Sequence, residues 1–216
     1  MANEKFDIER FYKDRFRILL ILYFFSEETG DSGRPLLLYG EIKIQAIDFF
    51  LRNPDYLAYE LLKIAEENQS KALKIKTIVK NIYHQKEPQL RRVEMEKFFY
   101  GAYEDIDDII AFLVSRGLLL YESKVRTNMR VAEKHYYLTP LAVQKIGTAK
   151  QDIEVAQWYF NRCQIIKEHL GGVTGSQLKS KQYQVEEYST TAYKEKIQGI
   201  DNMVEEKYET LFNQGL

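Results

Sequence analysis

Four carboxylates stand close together in the middle of the chain, and their type suits metal chemistry. They are Glu104, Asp105, Asp107 and Asp108. Carboxylate oxygens are ligands that hard cations such as Mg²⁺ and Ca²⁺ prefer. The same residues also stand at the start of a predicted helix, where negative side chains interact favourably with the positive end of the helix dipole. That explanation needs no further ligand, so we expect a helix N-terminus here, without a metal or a cofactor.

Other residue types that often do chemistry lack the spacing of a catalytic or metal-binding motif. The histidines His84, His135 and His169 stand far apart and form no HExxH pair. Cys163 is the only cysteine, which excludes an internal disulfide and a thiolate zinc site. The glycines form neither a Walker A motif nor a dinucleotide-binding fingerprint. We therefore expect a protein that is not an enzyme.

Two segments are locally basic, although the net charge of the chain is only −1. Residues 69–86 contain five lysines and no acidic residue, and the polar segment 122–134 contains more basic than acidic residues. Lysine and arginine bind nucleic-acid phosphates through charge, without regard to base sequence. We predict such contacts at Lys74, Lys76, Lys80, Lys124, Arg126 and Arg130. The alternative is that both segments are simply solvated surfaces.

The elements that position these side chains are clearest at residues 103–147. Apolar residues at three- and four-residue spacing predict a helix over 105–116, and Gly117 follows where helices often end in a left-handed glycine. Two β-prone runs flank the polar segment and predict an antiparallel hairpin. Thr139 and Pro140 then suit the N-cap and the first position of another helix. Helix, hairpin and helix in this order are typical of the second half of a winged helix.

Apolar patterns predict further helices on both sides of this segment. Residues 18–25 are apolar on every side, which predicts that a helix over 14–28 lies buried at the centre of the domain. The other predicted helices cover residues 41–52, 55–67, 153–170 and 193–211, and a short strand is expected at 36–39. Residues 69–86 fit either a helix or a strand, and residues 173–191 a loop or a flexible hairpin.

These elements predict a mainly α protein with a small antiparallel β wing. The expected architecture is a winged helix-turn-helix at residues 1–147, with an insertion at about 55–101, and a C-terminal helical extension at 148–216. The longest apolar run, at residues 18–25, is too short to span a membrane. The charged N-terminus has no signal-peptide core, so we expect a cytoplasmic protein without membrane contact.

The signs of the charges favour a protein partner over base reading. In a DNA-reading winged helix, the helix before the hairpin enters the major groove and needs basic or amide side chains near its N-terminus. This helix offers carboxylates at that end, and phosphates would repel them. The apolar seams of the C-terminal helices also need cover. We therefore predict a partner-facing surface that includes Glu104, Asp105, Asp108, Phe160, Ile197 and Val204.

Several patches of sequence, taken together, resemble a known family. They are RILLILYFF followed by EIKIQAIDFFLRNPDYL, then RVEMEKFFYGAYEDIDDIIAFLVSRGLL, then YYLTPLA, and they cover residues 17–142. The motifs are an aliphatic helix, a Lys-x-x-x-x-Asp-Phe stretch from Lys43 to Phe49, and the aromatic–glycine step at Tyr100 and Gly101. This order resembles the small middle component of bacterial ABC-type three-component defence systems, the group that includes Lamassu.

The resemblance implies a division of labour between three subunits. An SMC-like ATPase senses aberrant DNA, a separate effector does the damage, and the middle subunit is a non-enzymatic winged-helix adaptor. The acidic cluster at 104–108 departs from the family pattern.

From the residues and the resemblance together, we expect a non-catalytic winged-helix adaptor subunit of a bacterial anti-phage defence complex. It would link an SMC-like ATPase to an effector and contact DNA without sequence preference. The alternative is a dimeric winged-helix DNA-binding transcription regulator, which requires sequence-specific operator binding. A third hypothesis, a small metal-dependent enzyme, has only the acidic cluster in its favour.

Overall fold

Helices account for most of the described residues, and the strands form a small antiparallel sheet and a separate short pair. The computed structural model describes residues 7–84, 95–98, 101–125, 131–152 and 154–216. Its helices are α1 (Ile8–Phe25), α2 (Glu41–Arg52), α3 (Pro54–Glu67), α4 (Gln69–His84), α5 (Asp107–Ser115), α6 (Pro140–Asp152), α7 (Glu154–Leu170), α8 (Gly175–Tyr183), α9 (Glu186–Thr190) and α10 (Asp201–Phe212). The prediction of a mainly α protein with a small antiparallel sheet is confirmed.

The strands are β1 (Glu27–Glu28), β2 (Leu36–Tyr39), β3 (Lys97–Phe98), β4 (Gly101–Ala102), β5 (Leu119–Val125) and β6 (Val131–Leu138). Four of them form an antiparallel sheet in the order β1-β2-β6-β5, and β3 pairs with β4. Among the described residues, the helices fall short of the length and hydropathy that a membrane crossing requires.

Two compact units make up the chain, and each combines two separate segments. The first unit contains Met1–Ile44 and Asp105–Gln164, and the second contains Gln45–Glu104 and Ile165–Leu216. Two of the three boundaries therefore fall inside α2 and α7, and the third lies between β4 and α5. The expected insertion at 55–101 lies in the second unit together with most of the expected C-terminal extension.

In the first unit, α1 is buried along its second half, as the apolar run predicts. Leu20, for example, has no exposed surface. The helix begins at Ile8, earlier than predicted, because the Asp7 side chain caps its first turn. It ends at Phe25 rather than at residue 28, because residues 27 and 28 pair with β2 as strand β1.

The predicted helix, hairpin and helix at 103–147 are present with close boundaries. α5 begins at Asp107, and Gly117 follows the helix with a φ of 69°. β5 and β6 pair antiparallel, and the predicted strand β2 pairs with the other edge of β6. The Thr139 hydroxyl donates to the Gly117 carbonyl at 2.7 Å and accepts from the Ala142 N–H at 3.2 Å, which fixes the start of α6.

The second unit contains the main errors of the sequence analysis. The expected loop at 173–191 is instead α8 and α9, and a reciprocal capping box between Thr174 and Gln177 starts α8. α10 begins at Asp201 rather than at residue 193, because residues 194–197 bond to the backbone of residues 95–97. α7 ends at Leu170 as predicted, whereas residue 153, the expected start, lies outside the described residues.

Candidate interaction surfaces

The first turn of α5 carries exposed carboxylates, as predicted. Asp107 and Asp108 are both exposed, and 77% of the Asp107 side chain is accessible. The Asp105 carboxylate accepts a hydrogen bond from the Asp107 N–H at 3.0 Å and so orders the turn that leads into the helix. The N-terminal end of α5 is therefore a negatively charged surface, which we call the acidic start of α5 (Asp105, Asp107 and Asp108).

Lys134, in β6, lies beside the acidic start of α5 but is neutralised by carboxylates of its own unit. Its ammonium group bonds to the Glu41 carboxylate and lies 3.8 Å from an oxygen of Asp107. Burial alone would lower the pKa of Lys134, but the hydrogen bond to Glu41 and the charge of that carboxylate outweigh burial and raise it. Lys134 therefore does not turn this surface into a basic one.

Glu104, which the sequence grouped with these acids, is held inside the second unit. Its carboxylate lies 2.6 Å from an Arg52 guanidinium nitrogen. Its backbone carbonyl accepts from the Gln45 side chain at 2.7 Å, and its N–H donates to the Gln45 side-chain oxygen at 3.1 Å. Arg52 is itself buried, and 24% of the Glu104 side chain is accessible. The Glu104 carboxylate therefore already has a partner within the chain.

The seam residues predicted to face a partner are covered by the chain itself. Phe160 is 4% exposed, Ile197 8% and Val204 0%. The Phe160 ring packs on the Phe24 ring, with 5.6 Å between centroids. Phe160 in α7 and Val204 in α10 belong to the hydrophobic cores of the first and the second unit, and Ile197 is buried in the non-helical segment before α10. These three side chains are therefore not available for contact with a second protein.

Buried polar contacts tie the two segments of the second unit together. The Asp55 carboxylate accepts from the Ile200 N–H at 2.8 Å, and burial raises the pKa of Asp55. The Tyr56 hydroxyl donates to the Gln198 carbonyl at 2.9 Å. The Lys97 ammonium donates to the carbonyls of Tyr188 at 2.9 Å and Ser189 at 2.6 Å, and burial lowers the pKa of Lys97. These contacts make the C-terminal helices part of the unit's framework.

The lysines of α4 do not form one continuous basic face. Lys76 and Lys80 are four positions apart and share a face, and Lys80 is exposed. The Lys76 ammonium lies 5.2 Å from the Phe212 ring centroid. Lys74 points elsewhere and forms an ion pair with Glu168. Of the three, Lys76 and Lys80 are therefore the better placed to bind phosphates.

The basic residues predicted on the hairpin fall mostly outside the described part of the chain. Arg126 and Arg130 lie outside the described residues, as does the side chain of Lys124. The Lys124 backbone pairs with Glu133 in the hairpin.

An apolar groove that the sequence did not predict lies in the first unit, between α1, α5 and α7. It has a volume of about 380 Å³. Its lining residues are Tyr12, Lys13, Arg15, Phe16, Leu19, Phe112, Leu113, Leu118, Ala156 and Tyr159. The available signal was the aromatic content of residues 11–16, but the helices that complete the groove come from remote parts of the chain.

Comparisons with known proteins give no relative for this chain. No family model, curated protein or solved structure matches it. Within the part of the chain that the structure describes, His, Cys, Asp and Glu side chains form no group of three that could hold a metal ion.

Proposed function

We propose that the protein is a non-catalytic adaptor subunit of a bacterial anti-phage defence complex of the Lamassu-like type. In this proposal it links an SMC-like ATPase to an effector subunit. The sequence patches at residues 17–142 support the proposal through their resemblance to the middle component of such systems. The order of elements in the first unit supports it as well. α1, β2 and the start of α2 come first, and after the intervening segment of the second unit α5 and the β5–β6 hairpin follow, an order that a winged helix also has.

The observation that carries the proposal is the acidic start of α5. A winged helix that reads DNA inserts this helix into the major groove, where arginine, lysine, asparagine or glutamine contacts base edges. Here exposed Asp107 and Asp108 occupy the first turn, and their charge is opposite to the one that phosphates require. A basic protein surface is the complementary partner.

DNA contact, in this proposal, is secondary and independent of sequence. Lys76 and Lys80 on α4 supply it, and the ATPase supplies the rest of the affinity through the joint complex. The competing function, a dimeric transcription regulator, would need a DNA-reading helix and a free C-terminal seam. The acidic start of α5 and the burial of Phe160 and Val204 both count against it.

The test is co-purification with a candidate SMC-like ATPase, chosen from the genes that neighbour the gene for this chain. The variant Asp107→Lys/Asp108→Lys reverses the charge of the acidic start of α5 without touching the core. We expect it to recover at least tenfold less ATPase than the unchanged chain, since a like-charge contact costs more than the about 1.4 kcal/mol that a tenfold loss of affinity represents. The control is Glu28→Lys on the exposed strand β1, which should leave recovery unchanged. Equal recovery with the double variant would contradict the proposal.

A further inference from the structure

The apolar groove of the first unit continues along an exposed face of α1. Ile8 is 62% exposed and Tyr12 57% exposed, and the two are four positions apart. Phe16 and Leu19 extend the same stripe into the groove, at the spacing of one helix face. The apolar surface is therefore longer than the groove, as in sites where an amphipathic segment lies along a helix-lined channel.

Arg15 gives the groove a specific polar group. Its guanidinium carbon lies 3.2 Å from the Phe11 ring centroid and 4.9 Å from that of Phe112, so the two rings flank it. One terminal nitrogen donates to the Phe11 carbonyl at 2.9 Å. Its Nε is buried and has no hydrogen-bond partner among the described residues. Arg15 also forms no ion pair with any carboxylate in the described part of the chain.

The charges around the groove are not balanced. The Glu9 carboxylate forms an ion pair with Lys13 at 2.6 Å, and the Asp14 carboxylate forms one with Arg17. Arg116 is exposed beside the Phe112 ring, with 5.3 Å to its centroid, and no ion pair joins it to a described residue. The guanidinium groups of Arg15 and Arg116 therefore leave positive charge at the groove, which complements an anionic ligand.

We propose that this groove binds a segment of a partner protein in which an aromatic or leucine side chain stands beside a carboxylate. The apolar side chain enters the groove between Phe16 and Phe112, and the carboxylate pairs with the Arg15 guanidinium. The proposed segment belongs to one partner of the adaptor, so the proposal rests on the proposed function. It concerns a different surface from the acidic start of α5, and the two can fail separately.

The test is selection of random twelve-residue peptides displayed on phage, with the full chain as bait. We expect the enriched peptides to combine an aromatic residue or leucine with an aspartate or glutamate. The best peptide, labelled with fluorescein, should bind Arg15→Gln about tenfold more weakly, which is the loss typical of a charge-assisted hydrogen bond. Tyr12→Ala should weaken it as well, because Tyr12 lines the groove. Arg15→Lys should retain part of the affinity, because it keeps the charge.

The matched control is Leu73→Ala, which removes an apolar side chain that is 78% exposed on α4 of the second unit. It should bind the peptide as the unchanged chain does, and thermal unfolding of all variants shows whether they fold. The proposal is overturned if no peptide is enriched, if enriched peptides lack acidic residues, or if Arg15→Gln binds equally well. Displacement of the peptide by dodecanoate would also overturn it, in favour of a small-molecule site. The ATPase co-purification is independent of these outcomes.

Discussion

Single buried charges hold the second unit together, and Glu60 is the clearest case. Its carboxylate is 2% exposed and accepts from Lys63 and Lys181, both at 2.9 Å. The contact between Glu60 and Lys181 therefore joins α3 to α8, although the two residues are 121 positions apart in the sequence. A buried carboxylate without its partners would carry a large desolvation cost, so neither partner is interchangeable with an apolar residue.

We expect Glu60→Gln to lower the free energy of unfolding by about 2 kcal/mol, the scale of a lost charge-assisted hydrogen bond. The matched control is Glu66→Gln, which removes an exposed partner of Lys207. A surface pair of that kind contributes less than about 1 kcal/mol. Urea titration followed by circular dichroism measures both variants. Equal losses would show that the Glu60 contacts are no stronger than surface pairs.

His169 is a buried titratable residue without a hydrogen-bond partner among the described residues. Its side chain is 1% exposed, and neither ring nitrogen is bonded. Burial lowers the pKa of His169, and the charges of Lys71 and Lys74 act in the same direction. The nearby carboxylate of Glu168 acts against them without reversing the shift. The folded protein therefore prefers the neutral imidazole.

The lowered pKa of His169 makes the fold sensitive to acid. Well above pH 6.5, the ordinary pKa, the imidazole is neutral in both the folded and the unfolded chain and has little effect on stability. As the pH falls below that value, the unfolded chain takes up a proton first and unfolding is favoured. We expect His169→Leu to reduce the loss of thermal stability between about pH 7 and pH 5. The exposed-site control His84→Leu should keep that loss, and an unchanged pH profile in His169→Leu would refute the assignment.

At the scale of elements, a proline or glycine at the end of a helix was enough to predict where that helix ends. The Pro54 ring separates α2 from α3, and Gly117 ends the segment of α5, so those boundaries follow from single residues. The segment 194–200 has no such signal. Its backbone bonds to residues 95–97, about a hundred positions away, and no local periodicity contains that information. The expected helix start at residue 193 failed for this reason.

The helix α4 shows why a pattern can fit two structures. The alternation around residues 73–80 suggested a strand as well as a helix. In the structure Ile75, Val79 and Ile82 are buried at the spacing of four and three that one helix face requires, whereas Leu73 is exposed. The exposed leucine produced the false alternation.

The arrangement of α4 predicts unequal roles for its lysines in DNA binding. Lys76→Gln/Lys80→Gln should lower the log–log dependence of affinity on salt by roughly 2, because each phosphate contact contributes about 0.9. Lys74→Gln should have a smaller effect, since Lys74 already pairs with Glu168. Fluorescence anisotropy on two unrelated duplexes between about 50 and 200 mM salt measures both. A strong preference for one duplex, or an equal effect of Lys74→Gln, would contradict sequence-independent contact through this face.

At the scale of the whole molecule, the pairing of distant segments was beyond the reach of the sequence. Residues 45–104 and 165–216 close one unit through contacts such as Asp55 with Ile200 and Lys97 with Tyr188. Periodicity shows that a helix has an apolar side, but it does not show what covers it. The residues predicted to face a partner likewise fall into an exposed group and a buried group. The acidic start of α5 is exposed as expected, whereas Phe160, Ile197 and Val204 belong to the core.

The pairing of segments predicts the result of a truncation. A chain that ends at residue 164 retains both segments of the first unit but only one segment of the second. We expect amide hydrogens of α1 and β6 to stay protected from exchange in this chain, while those of α3 and α4 exchange much faster than in the full chain. Hydrogen–deuterium exchange with mass spectrometry measures each segment. Continued protection of α3 and α4 would show that residues 45–104 fold without the C-terminal helices.

We propose that α5 contacts a protein rather than the DNA groove, and site-specific photocrosslinking can distinguish the two. A benzoylphenylalanine residue at position 108, in place of exposed Asp108, reports what lies against the first turn of α5 in the complex with the ATPase and a linear duplex. The same probe in place of exposed Lys80 is the control, where a DNA adduct is expected. We expect an adduct between position 108 and a protein subunit, as the proposed contact requires. An adduct between position 108 and DNA would contradict it.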